Sequence, residues 1–237
     1  MVTEWKHYFC QSMNSRFYIN NMKITFKYDE EKDIWCILNK GKSSMNSQNP
    51  TKQYKQLVEL QGENPSNEVV ASFIDTYLSE KTVDIEKYVE SYQSDWNTVA
   101  EEYTKRAEVI FGVSLPKEIV AYLTINSRCP YSLEENYFFV TVPTYPHIAR
   151  KTVMHELWHF YTWYAFGVDQ EEKLGKQKYN DLKETLTVLL NVECKDLLPE
   201  DVTDKGYPQH AELRAKILEL WNTDKNIHKV WEALVNE

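Results

Sequence analysis

Residues 148–166 read Ile-Ala-Arg-Lys-Thr-Val-Met-His-Glu-Leu-Trp-His-Phe-Tyr-Thr-Trp-Tyr-Ala-Phe. Val153, Met154, Leu157, Trp158, Phe160, Tyr161, Trp163 and Tyr164 leave almost no polar face when this stretch is wound as a helix. A helix that is apolar all round is a buried one. Two histidines and a glutamate inside it are costly unless something pairs with them. At a spacing of four, His155 and His159 share a face one turn apart, with Glu156 beside them. That is the geometry two imidazoles need to grip one metal ion while a carboxylate handles a water. The plainer alternative is a pair of core histidines bonded to neighbours, with Glu156 in a salt bridge.

Outward from this helix the pattern predicts an α+β fold, mostly helical, with a small sheet next to the histidine helix. Residues 119–125 and 137–142 are short, apolar and β-prone, and Pro143 ends the second. Residues 137–142 are either an edge strand, open to a substrate backbone, or a central strand bonded on both sides. Gly167 is expected to stop the histidine helix, and residues 169–178 to form a charged loop. A further helix is expected from Asn180 or Asp181 to about Lys195, turning Leu182, Leu186, Leu189 and Leu190 inward. Residues 196–208 read as a loop, followed by helices near 209–221 and 225–235.

Upstream, Ser66 can cap a helix carrying Val69, Val70, Phe73, Ile74, Tyr77 and Leu78. A single long helix is expected over residues 84–111, stopped by Gly112. Ile24 and Phe26 alternate in residues 22–28, residues 29–33 are polar, and residues 34–38 are apolar again. This predicts an N-terminal β-hairpin, followed by a Ser/Asn/Lys-rich linker over residues 41–56. The expected organisation is an appended element at residues 1–50 and a catalytic domain at 51–237.

Composition narrows the function classes. The 36 acidic residues outnumber the 27 basic ones, for a net charge of −9. That charge argues against non-specific nucleic-acid binding and against an anionic membrane surface. No apolar run approaches the roughly 18 residues of a membrane span. The first residues lack the basic and apolar regions of a secretory signal, so a cytoplasmic location is expected. Cys10, Cys36, Cys129 and Cys194 form no Cys-x-x-Cys pair and read as free thiols. His7, His147 and His228 have no partner pattern.

A strand followed by a buried helix carrying His-Glu-x-x-His resembles the zincin metallopeptidases, over residues 137–210. In that family a downstream residue completes the metal site and names the subgroup. The metzincin pattern requires Gly and His where this chain has Thr162 and Ala165, which excludes it. The gluzincin pattern takes a Glu from a later helix. Glu184 lies 25 residues beyond His159, inside a predicted helix. Asp181 is its rival one turn earlier, in the aspzincin manner, but the Gly-Thr-x-Asp sequence of that group is absent. Glu171 and Glu172 fall in the charged loop, and Glu193 shares the apolar stripe less well. The thermolysin-like pattern places an Asp four residues after the ligand Glu. Val188 stands there, and Thr187 or Asn191 are left to orient a ligand.

The resemblance implies a Zn²⁺ cofactor on His155, His159 and Glu184, Glu156 as general base, and a peptide or protein substrate. It also implies an oxyanion donor from a later segment, for which Tyr207 and His210 are the candidates. Two other functions remain open: a zincin-fold binding protein whose metal is structural or lost, and a hydrolase of non-peptide amides.

Overall fold

The computed structural model describes residues 22–38 and 50–236. Most of the expected linker, with His7 and Cys10, lies outside these residues. One mixed sheet organises the chain. β1 (Lys23–Lys27), β2 (Glu118–Thr124), β3 (Tyr131–Ser132) and β4 (Tyr137–Thr141) lie in the order β1-β2-β4-β3. The first three in that order run parallel, and β3 is antiparallel on the outside of β4. Alternation along the strands separates two faces. Ile24, Phe26, Ile119, Ala121, Leu123, Phe138 and Val140 enter the main core, while Tyr137 and Phe139 pack with Cys36 in a smaller cluster.

The expected hairpin is corrected. β1 pairs with β2, about ninety residues away, and Glu30–Leu38 is a helix, α1. Glu30, Glu31 and Asp33 are its first turn, where carboxylates complement the amide ends of the helix. Ile34 and Ile37 join the main core, and Trp35 stacks on Phe139 with ring centroids 5.9 Å apart. Residues 22–38 therefore share the sheet and core of the rest of the chain instead of standing apart from it. The expected linker also ends early, because Thr51 caps α2 (Lys52–Gln61).

Ser66 caps α3 (Asn67–Glu80) as expected. The long helix at 84–111 is two helices, α4 (Ile85–Asn97) and α5 (Ala100–Phe111). Thr98 breaks it by donating its hydroxyl to the Asp95 carbonyl at 2.7 Å, a bond that competes with the helical ladder. Gly112, at φ +69°, ends α5 in the left-handed conformation that a glycine adopts without strain.

α4 and α5 hold the histidine helix, α6 (Pro146–Thr162), against the sheet. Arg150 grips Asp95 of α4 with two bonds of 2.6 and 2.9 Å. Tyr103 of α5 donates to the Met154 carbonyl at 2.8 Å, and Phe111 packs on Trp158 and Tyr161. Leu157, Trp158, Phe160 and Tyr161 are fully buried. β4 is interior at Tyr137 and Phe138, paired with β2 on one side and β3 on the other. The central-strand alternative holds there, and the expectation of an open edge is corrected.

Gly167 is not a stop. The chain passes through a π-helical turn (Trp163–Gly167) into α7 (Val168–Leu174). A Cβ on Gly167 would fall 2.2 Å from the Trp163 ring, so the glycine is there to admit an indole. The break comes at Gly175, with φ +77°, and α8 (Lys176–Leu186) starts directly after it. A 3₁₀ turn (Thr187–Leu189) leads to the short α9 (Leu190–Glu193). α10 (Ala211–Thr223) and α11 (Ile227–Val235) close the fold. Among the described residues, Cys36, Cys129 and Cys194 are free thiols, and no helix is long and apolar enough to cross a membrane.

Asp33 is fully buried at the end of β2, bonded to the Thr124 hydroxyl and the Ile125 amide. Burial raises its carboxyl to about 7, from 3.8. The folded protein thus holds this proton more tightly than the unfolded chain. The associated stability is complete below about pH 4 and is lost as pH rises through about 7. In denaturant unfolding across that range, Asp33→Asn should remove a decline of up to about 4 kcal/mol. An unchanged pH slope in the variant would contradict this.

Candidate metal centre

α6 carries His155, Glu156 and His159 along one wall of an open cleft of about 1060 Å³. α8 faces it and delivers Glu184 between the two imidazoles. Leu182, Thr185 and Leu186 are buried around this position and fix the rotation of α8. The Nε2 atom of His155 lies 3.5 Å from Glu184 Oε2, and that of His159 lies 3.3 Å from Oε1. One ligand atom from each of the three residues falls within 4.8 Å of the others.

A charge-assisted N–H···O bond closes to about 2.7–2.9 Å. Two ligands on a tetrahedral ion with arms of 2.0–2.1 Å stand about 3.3–3.4 Å apart. The observed 3.5 and 3.3 Å run to different oxygens of Glu184, Oε2 and Oε1, and both are longer than a charge-assisted bond. The donor set, two imidazole nitrogens and a carboxylate, also suits zinc.

Behind the three lies a buried polar network. His155 Nδ1 is 2.7 Å from Asp204 Oδ2, which holds the ring with Nε2 turned to the cleft. Asp204 Oδ1 is 2.9 Å from the Thr187 hydroxyl and accepts from Arg214 at 3.1 Å. Asn191 makes a reciprocal pair with the Asp204 backbone, at 2.7 and 2.8 Å. Arg214 adds a 2.6 Å bond to the Asp204 carbonyl. Gly206, with φ +61°, lets the loop lie on Arg214, where a Cβ would come within 2.6 Å of the guanidinium. On the other side, the buried Lys183 ammonium sits 3.0 Å from Glu184 Oε1 and 3.0 Å from the Tyr131 hydroxyl.

The side chains perturb one another strongly. Burial opposes a charge on His155, but its bonds to Asp204 and Glu184 outweigh this and raise it to about 10. Burial, reinforced by the Lys183 charge, drives His159 down to about 3. Burial lifts Glu156 to about 7. Against burial, the neighbouring His159 and Lys183 hold Glu184 well below the ordinary carboxylate range, and His155 holds Asp204 at about 2. A metal ion held here by His155 would require that ring to be neutral at Nε2.

The sequence-predicted residues separate into two groups. His155, Glu156, His159, Glu184 and Tyr207 all line the cleft. His210 does not. It is buried with Nε2 3.1 Å from Asp181, and that pairing joins the start of α10 to α8. Asp181 is thereby occupied, by His210 and by Gln177, and makes no contact with the histidine pair. Glu193 bonds Trp221 and Lys225 instead. Thr187 and Asn191 both bond Asp204, which in turn bonds His155. Asp204, Lys183 and Tyr131 escaped the sequence reading. Asp204 sits in an irregular loop where no periodicity marks a buried residue, and Lys183 reads as an ordinary helix-surface lysine.

Comparison with family models, curated proteins and solved structures finds no match for this chain.

Removing the Asp204 carboxylate leaves Arg214 buried without its counter-ion. Asp204→Ala should lower unfolding free energy by about 3–5 kcal/mol, against about 1 kcal/mol for Thr187→Val. Equilibrium denaturation of both variants checks the ranking, and equal small losses would contradict the network.

Proposed function

We propose that the protein is a zinc-dependent peptidase of gluzincin type, with His155, His159 and Glu184 as the metal ligands. The observation that carries this reading is the convergence of two imidazoles and a carboxylate, one ligand atom of each lying within 4.8 Å of the others. An ion bound there would act as a Lewis acid, lowering the pKa of a water and polarising a carbonyl.

The protein's own groups divide the remaining work. Glu156, one position from a ligand and lining the cleft, accepts the proton of the attacking water and returns it to the leaving amine. Asp204 fixes the tautomer and orientation of His155. Lys183 holds Glu184 by Oε1. Two phenols line the cleft, Tyr131 and Tyr207, and either hydroxyl can donate to a developing oxyanion. Tyr131 has the firmer placement, because Lys183 donates to its oxygen and leaves its proton for another acceptor.

A second reading has a specific observation in its favour. Lys183 and a protonated His155 together neutralise Glu184 and Asp204 without an ion. The site would then be a charged cluster at the base of a binding cleft.

Elemental analysis separates the two. Wild-type protein purified with zinc present should carry a stoichiometric metal, and Glu184→Ala should lose it. Glu156→Gln should keep the metal and lose at least about 100-fold in peptide hydrolysis. Absence of metal in the wild type, or full activity in Glu156→Gln, would end the peptidase reading.

If Tyr131 is the oxyanion donor, Tyr131→Phe should lower kcat about 100-fold at unchanged metal content. Tyr207→Phe should then leave kcat within about threefold, and the reverse pattern would assign the role to Tyr207.

A further inference from the structure

The cleft wall on α6 is a continuous track. Ile148, Lys151, Thr152, His155, Glu156 and His159 follow one another at helical spacing, and all of them line the cleft. Lys151 lies one turn before His155, half-buried, and close enough to act electrostatically on Glu156 and Cys129. It makes no ion pair among the described residues. Three more cations line the same space: Arg128, near enough to bear on the Tyr207 hydroxyl, and the exposed Lys52 and Lys205. Among the described residues that line the cleft, Asp201 is the acid outside the candidate metal centre and its supporting network. This cationic border belongs to a chain with a net charge of −9, so it does not follow from composition.

We propose that the cleft takes anionic peptides, with a carboxylate side chain placed beside the bond to be broken. The inference rests on the peptidase reading for the word "broken", but its binding content stands without it. The register follows from lengths. One helical turn separates Lys151 from His155, about 5.4 Å, and an extended peptide advances about 3.3 Å per residue. The carboxylate that meets Lys151 therefore lies within about two residues of the position held by the metal centre. In a half-buried cleft such a pair is screened less than on an open surface. Like charges on a basic peptide would be repelled by the same groups.

The test measures binding, not turnover. The full chain carrying Glu156→Gln is titrated calorimetrically with two series of short alanine-based peptides, acetylated and amidated, bearing either Glu or Lys around a central dipeptide. The Glu series should bind at least about tenfold tighter at low salt, with the margin shrinking at high salt. Lys151→Glu in the same background should abolish or invert the preference, and Lys216→Glu, outside the cleft, should not. Equal affinities, no binding by either series, or a preference that Lys151→Glu leaves intact would each overturn the proposal. A third series with neutral side chains and a free terminal carboxylate tests the other source of negative charge. Tighter binding of that series than of the Glu series also overturns the proposal. Wild-type hydrolysis is followed separately. Cleavage without acidic preference sinks this inference alone, whereas acidic binding without cleavage sinks the peptidase reading and leaves an anion-selective cleft.

Discussion

Two imidazoles and a carboxylate on a helix whose back is packed into the core constrain everything around them. α6 is fixed from behind by aromatic packing, by its own Arg150, which reaches Asp95 of α4, and by Tyr103 of α5. Its polar groups must then be satisfied from the front, and the rest of the C-terminal half supplies the partners. α8 contributes Glu184 and Lys183, and the loop after α9 contributes Asp204. Arg214 of α10 and Asn191 of α9 hold that loop down. The breaks between α8 and α9 have a purpose in this frame. The 3₁₀ turn at Thr187–Leu189 carries the hydroxyl that meets Asp204, so the irregular backbone lies where the network needs a side chain turned.

The parts legible in the sequence are those specified by local periodicity. The all-round apolar character of residues 148–166 marked α6 as interior, and the four-residue spacing of its histidines put them on one face. Ser66 and Gly112 announced helix ends because caps are local chemistry. Glu184 was singled out by the gluzincin resemblance, which looks for a Glu on a later helix. What escaped was non-local or ambiguous. Residues 34–38 are apolar enough for a strand or a short buried helix, and periodicity cannot decide between them over five positions. The partner that decides is β2, far along the chain. Gly167 was read as a terminator, yet its lack of a side chain serves a neighbouring indole. Asp204 is the largest omission, since a buried acid in a loop has no sequence pattern, only a place in space.

Charge also separates the centre from its surroundings. Within the core of the site, Glu156, Glu184 and Asp204 face Lys183 and Arg214, three carboxylates against two fixed cations. The side chains alone thus favour one added positive charge, which His155 takes as a proton. With Glu156 ionised, a dication in its place would overshoot by one unit, and the proposed loaded centre would be positive before any substrate arrives. Lys183 is responsible for that excess. Without it the same donors would neutralise a dication, and the centre would have no net attraction for an anion.

This balance bears on why a lysine is tolerated against a ligand carboxylate at all. A buried ammonium is expensive to desolvate, and it recovers that cost only through Glu184 and the phenol of Tyr131. Lys183 therefore fixes two groups at once: it restrains the rotation of Glu184, and it orients a hydroxyl that borders the cleft. The same positive charge weakens metal binding by repulsion and favours negative charge developing in the cleft. A site meant only to retain an ion would gain by replacing this lysine with an apolar residue. Its position is consistent with the proposed reading, in which the centre would stabilise negative charge on a substrate, and with Lys151 bordering the cleft one turn before His155 on α6.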